Sequence, residues 1–126
     1  MRRLTLTLAT ALALAPFAAK AQDGDAAAGQ RVFNQCRACH TINEGGRNGV
    51  GPNLHGIVGR AAGSIEGFRY SQNMQEWRQG QTWTEANLRT YLANPKDLLP
   101  RGSMSFAGLR NPQQLNDLIA YLKTNP

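Results

Sequence analysis

Cys36-Arg37-Ala38-Cys39-His40 decides how the rest of the chain is read. A C-x-x-C-H run is the attachment signature of c-type haem. Two thiols about one helical turn apart can each form a thioether to one vinyl group of the same porphyrin. His40, the next residue, then lies under the iron, where its imidazole can ligate it. Other chemistries also use cysteine pairs. A zinc site would need a second ligand pair, but these are the only cysteines, and His55 is the only other histidine. A thioredoxin-like dithiol wants a βαβ context, and no such pattern is present. A disulfide across a two-residue gap would close too short a loop to stabilise much.

Upstream of the motif the chain reads as an address. Arg2 and Arg3 form a basic start, Leu4 to Ala19 is an apolar, small-residue run, and Ala19-Lys20-Ala21 is an A-x-A-like cleavage site. This predicts a secretory signal peptide over 1–21, removed near Gln22, and one domain over 22–126 in the periplasm. The apolar run is too short to make a good membrane span, and no other long one follows. Export and the C-x-x-C-H motif support each other, because bacterial thioether attachment of haem takes place outside the cytoplasm.

The formal charge of +6 belongs to all 126 residues. Without Arg2, Arg3 and Lys20, eleven Lys and Arg face eight Asp and Glu, a net of +3. No dense basic run is present, which argues against nucleic-acid binding. A diffuse basic face that steers towards an acidic protein partner fits better. A domain this small, in a chain with nine aromatics, buries a modest core. A large flat haem would serve as its centre.

The elements predicted are helices. Asp25 is a candidate N-cap for a helix from Ala26 to about Ala38 that carries the cysteines at its end. Gly29 in its middle costs about 1 kcal/mol against alanine, which close approach of another helix would explain. Thr41 to Gly67 is glycine-rich without a period and reads as an ordered loop over one haem face. Ser71 to Gln79 reads as a short helix stopped at Gly80. A further helix spans about Thr84 to Ala93, capped by Thr84 and ended by Asn94-Pro95. In the last helix Asn111 is the cap, Pro112 the first residue and Gln114 the partner of a capping box. Leu115, Leu118, Ile119 and Leu122 form its apolar stripe. No strand and no repeat is evident.

One axial position on the iron remains after His40. Met104 is the leading candidate, because an irregular loop between helices can bring a thioether over the distal face. Met74 in its short helix, His55, and an open site are the alternatives. A neutral thioether favours ferrous iron more than a second imidazole does, so His/Met ligation raises the reduction potential.

With these residues placed, the sequence resembles the class I c-type cytochromes, close to the mitochondrial cytochrome c type and its soluble bacterial relatives. The resemblance runs through Gly29 and Phe33, Cys36 to His40, Gly51 to Gly56, Gly59-Arg60, Gly67-Phe68 with Tyr70, Trp83, Tyr91-Leu92, Asn94-Pro95-Lys96, Pro100 to Met104, Phe106 to Gly108 and Asp117 to Lys123. It implies an all-α fold, with the first and last helices crossing at Gly29, Phe33, Leu118 and Tyr121. One covalent haem c would be enclosed by loops and short helices. It implies that the Pro52 carbonyl orients His40, that Arg60, Tyr70 and Trp83 meet a haem propionate, and that Tyr91 hydrogen-bonds the Met104 sulfur. Arg101-Gly102-Ser103 stand where relatives carry Gly-Thr-Lys. Asn73 is a candidate for the inner asparagine of the family.

The expected function is one-electron transfer by a monomeric carrier, not an enzyme, with no nucleic acid and no stable membrane insertion. The resemblance implies a route from a quinol-oxidising cytochrome complex to a terminal oxidase or a photosynthetic reaction centre. Arg37, Arg47, Arg101, Arg110 and Lys96 would form the docking ring. A cytochrome subunit of a periplasmic dehydrogenase, or an open-site haem protein with peroxidase or gas-binding activity, are the alternatives.

Overall fold

Asp25 stands just before the first apolar-periodic residues, and its carboxylate accepts the N–H groups of Ala27 and Ala28 at 2.9 and 3.3 Å. These bonds satisfy two of the orphan donors of a helix start. In the computed structural model, which describes residues 9–13 and 24–126, they open α1 (Ala26–Phe33). The chain then contains α2 (Gln72–Trp77), α3 (Glu85–Ala93), α4 (Pro95–Leu98) and α5 (Pro112–Lys123). Apart from 9–13, the predicted signal peptide lies outside the described residues. Among the described residues, no helix is long and apolar enough to cross a membrane.

α1 is shorter than the sequence suggests. After Phe33 it tightens into a 3-10 turn, Asn34–Cys36. Short i→i+3 turns are a common way to satisfy the last carbonyls of a helix. Here the Cys36 carbonyl accepts from both the Cys39 and His40 N–H groups, at 3.1 and 2.9 Å. The haem motif is thus a closed turn rather than the end of an α-helix.

α1 packs on α5. Phe33 is fully buried, as are Leu118 and Ile119, and Leu122 is nearly so. The Phe33 and Tyr121 rings meet at 5.4 Å. Gly29 makes this possible: a Cβ there would stand 1.9 Å from the Asp117 carbonyl oxygen and 2.8 Å from the Tyr121 Cβ. Buried Asp117 reinforces the crossing, because one of its carboxylate oxygens accepts the Asp25 N–H at 2.8 Å. The same oxygen accepts from Gln113 Nε2 at 2.8 Å. The α5 cap forms through Asn111, which accepts the N–H groups of Gln113 and Gln114. The reciprocal bond from the Gln114 side chain does not form, and Gln113 turns to Asp117 instead.

Ser71 and Thr84 cap α2 and α3 through the N–H groups of Met74 and Asn87. α2 ends at Trp77, and the turn beyond it closes on Gly80, whose φ of +69° is the left-handed conformation that glycine adopts without strain. Asn94-Pro95 ends α3 as expected, but the chain re-enters a helix at once, with Pro95 at its first position. α4 is too short to show a period, although a proline at a helix start is a recognised signal.

The glycine-rich stretch is an ordered, hydrogen-bonded course. Gly51 N–H donates to the Cys39 carbonyl at 2.9 Å, and Leu54 N–H to the Thr41 carbonyl at 2.8 Å. Further on, the Gly59 N–H donates to the Trp83 carbonyl and the Trp83 N–H to the Arg60 carbonyl, both at 2.8 Å, and Ala61 pairs with Thr82 in one isolated antiparallel bridge. Gly56 N–H reaches the Asn125 carbonyl at 2.7 Å, which ties this loop to the end of the chain.

Candidate functional site

The loops and helices leave one cavity whose lining includes Cys36, Cys39, His40 and Met104 together. α1 and its terminal turn deliver the first three, and the stretch after α4 delivers the last. The remaining walls are mostly apolar, with Leu54, Ile57, Trp83, Leu92, Leu99 and Phe106 among them. Among the described residues, no carboxylate lines the cavity and Arg60 is its only permanent cation. A shallower depression beside α2, lined by Arg69, Gln72, Gln75 and Gln79, holds none of the cysteines or histidines.

His40 is fixed through one ring nitrogen. Nδ1 lies 2.7 Å from the Pro52 carbonyl oxygen, so it carries the proton and Nε2 is left with a lone pair. Burial lowers the His40 pKa, outweighing the opposite pull of the Pro52 bond. Burial keeps the imidazole neutral and the Pro52 bond orients it, which together give the form that binds a metal. Gly51 packs against the ring so closely that a Cβ there would lie 2.2 Å from His40 Cε1. No disulfide joins Cys36 and Cys39. Burial, and then the neighbouring Cys39, push the Cys36 thiol up, with Arg37 acting the other way.

Arg60, Tyr70, Trp83 and Tyr91 line the same cavity, as does Pro52. The Arg60 guanidinium donates to the carbonyls of Asn53, at 3.0 Å, and His55. The Tyr70 hydroxyl accepts the Ile65 N–H at 3.1 Å, which leaves its own proton free to donate. Trp83 is buried as a residue, but its indole N–H, which donates to no protein group among the described residues, is not sealed off. Trp83 also stacks between Trp77 and Tyr91, at 5.0 and 5.1 Å. The Tyr91 hydroxyl lies 3.9 Å from the Met104 sulfur, a long hydrogen bond of the kind sulfur accepts.

Of the alternatives for the second axial ligand, His55 does not line the cavity. Its Nδ1 lies 3.2 Å from the Ile42 carbonyl oxygen, a bond to a neighbouring loop. Met74 is buried and does line it, from the inner face of α2. Asn73, the candidate inner asparagine, does not line the cavity, and its Oδ1 accepts the Arg101 N–H at 2.8 Å. Arg101 and Arg37 are engaged rather than free: Arg101 pairs with Glu76 at 3.0 Å, and Arg37 lies 4.9 Å over the Phe33 ring.

Two contributors escaped the sequence reading as individuals. Buried Asn53 donates to Thr41 Oγ1 and the Asn43 carbonyl, at 2.8 and 2.9 Å, and accepts the His55 N–H, so it pins the loop that carries Pro52. Gly51 is the other. Both lie in the Gly51-Pro52-Asn53-Leu54 run, but nothing local says which neighbour each would meet.

Burial pushes the Tyr91 phenol up to about 12. The unfolded chain therefore releases this proton first, from about pH 10. The contribution is constant below pH 10 and is lost as pH rises towards 12. Two pKa units correspond to about 2 to 3 kcal/mol. In denaturant unfolding between pH 9 and 12, wild type should lose about that much more stability than Tyr91→Phe. Parallel curves would refute the assignment.

The donor set fits haem c. Two thiols, one oriented imidazole and the thioethers of Met104 and Met74 line one mostly apolar, carboxylate-free cavity, while no cluster of three His, Cys, Asp or Glu side chains suited to another metal exists among the described residues. Known proteins agree. The family model described as Cytochrome c matches residues 26–126. A cytochrome c-550 of Ancylobacter novellus is 52% identical over 99 residues, 78% of this chain and 92% of its own length. A cytochrome c2 of Blastochloris viridis is 46% identical over 124 residues, 98% of this chain and 93% of its own. The solved structure of cytochrome cH from Methylobacterium extorquens superposes with a TM-score of 0.73 at 44% identity, covering 80% of this chain and 99% of that one. The all-α architecture, the single attachment motif and these relatives lead to one conclusion: this chain belongs to the cytochrome c family, as a class I member that holds one covalent haem c and carries electrons rather than catalysing a reaction.

Proposed function

We propose that the mature chain, Gln22 to Pro126, is a periplasmic carrier whose haem is held by Cys36 and Cys39 and ligated by His40 and Met104. The bound group supplies a single ferric–ferrous couple, and every other role falls to the protein. The two thiols fix the plane of the group. Pro52 turns His40 so that Nε2 faces the cavity. Met104, its sulfur steadied by the Tyr91 hydroxyl, would supply the second ligand, and a filled position there would keep out oxygen and peroxide. A thioether opposite an imidazole favours the reduced state and raises the potential. Arg60, Tyr70 and Trp83 each keep a cation or a donor available in an otherwise apolar wall, which suits a propionate whose burial would otherwise be costly.

One observation carries this reading: the cysteines, His40 and Met104 line the same cavity. The resemblance to the class I cytochromes supports a place between a quinol-oxidising cytochrome complex and a terminal oxidase or reaction centre. The test is the optical spectrum of the exported ferric protein, read at the weak far-red sulfur-to-iron band. Wild type and Met74→Ala should show the band and Met104→Ala should lack it. A high-spin wild type that binds carbon monoxide or peroxide readily would instead support the open-site alternative.

A further inference from the structure

Met104 lies in a stretch without regular secondary structure, Arg101 to Ser105. Its own backbone supplies little restraint beyond the Gly102 N–H donating to the Leu99 carbonyl at 2.9 Å. The other restraints come from neighbouring helices. In α2, Asn73 Oδ1 accepts the Arg101 N–H at 2.8 Å. On the same helix, Glu76 Oε2 pairs with the Arg101 guanidinium at 3.0 Å. The other Glu76 oxygen accepts from Gln72 Nε2 at 3.1 Å, so this carboxylate is held at both ends. From α4, Lys96 Nζ donates to the Gly102 carbonyl at 2.5 Å. The side chains of Ser103 and Ser105 make no hydrogen bond to the protein among the described residues.

We propose that α2 is a latch on the Met104 loop, with Asn73 and Glu76 as positioning residues that set how readily the sulfur leaves the iron. The inference rests on Met104 being the second axial ligand. Its logic is mechanical. The sulfur cannot withdraw far while Arg101, three residues before it, is held at both its backbone and its side chain. Opening the loop costs the Asn73 bond, the Glu76 pair and the Lys96 bond together. The Arg101–Glu76 pair is exposed, at 70% and 50% of the side-chain surfaces, so it is weak and sensitive to salt. The Asn73 bond involves no net charge and is indifferent to salt.

Imidazole reads this equilibrium. It can occupy the iron only in molecules whose loop has opened, so its apparent affinity scales with the open fraction. The ferric holoprotein is titrated with imidazole while the far-red band is followed, at low and at high salt. Asn73→Ala should bind imidazole about fivefold more tightly. Asn73→Asp keeps the acceptor oxygen and should stay near wild type. Glu76→Gln should bind about twofold more tightly at low salt. High salt should tighten binding to wild type and leave Glu76→Gln unchanged. Asn73→Ala and Glu76→Gln proteins with wild-type imidazole affinity and an intact band overturn the latch, even if their thermal midpoints fall, since that would be a purely structural role. A Met104→Ala protein that retains the band overturns the ligand assignment instead, and the two failures are read separately.

Discussion

Gly29→Ala should destabilise the protein by about 3 kcal/mol, although alanine is the better helix former by about 1 kcal/mol. The sign is set by space, not propensity. The added Cβ would stand 1.9 Å from the Asp117 carbonyl oxygen, a backbone atom that cannot rotate away. The helices must separate, which loosens Phe33, Leu118 and Leu122 and lengthens the bond from the Asp25 N–H to Asp117. For a domain of this size, 3 kcal/mol lowers the thermal midpoint by roughly 12 to 24 °C. Thermal and denaturant unfolding of the holoprotein check this. A variant with a wild-type midpoint would mean that the crossing is not as tight as the structure shows.

Gly51→Ala should be nearly as severe, and its effect reaches the iron. The new Cβ would lie within 2.7 Å of three atoms of the His40 ring. The ring cannot yield without breaking its 2.7 Å bond to the Pro52 carbonyl. Gly51 cannot yield either, because its N–H is held by the Cys39 carbonyl at 2.9 Å. We expect a loss of about 2 to 3 kcal/mol, together with a tilted proximal ligand and a fraction of protein whose far-red band is missing. Equal yield, spectrum and unfolding midpoint in the variant would rule this packing out.

What could be read from the sequence followed the range of each signal. The five-residue motif needs only local spacing, so the cofactor was legible at once. Asp25, Ser71, Thr84 and Asn111 were in sight as caps or helix boundaries because capping is decided within three residues. Contacts between distant segments were a different matter. The Asp25–Asp117 bond, the Asn73–Arg101 bond and the packing of Gly51 on His40 each join positions that no short-range rule connects. α4 was missed because a single turn carries no period, and the 3-10 end of α1 because two kinds of turn fit the same residues. The resemblance identified which tyrosines and arginines would surround the cavity. It did not show that Arg101 would be tied to Glu76, since Arg101 stands where the chain departs from its relatives.

The crossing of α1 and α5 also governs the order of events in the life of the chain. A chain is made and delivered from its N-terminus, so α1 and the cysteines arrive long before the helix they pack against. The contacts that close the fold are among the most distant in sequence, Asp25 and Asp117 lying 92 positions apart, and such contacts slow folding. Until α5 arrives, Phe33 and Gly29 have no partner and the cysteine turn lies in an open chain. Both thiols would therefore be open to the vinyl groups while α5 is still absent, and the last helix would shut the joint behind them.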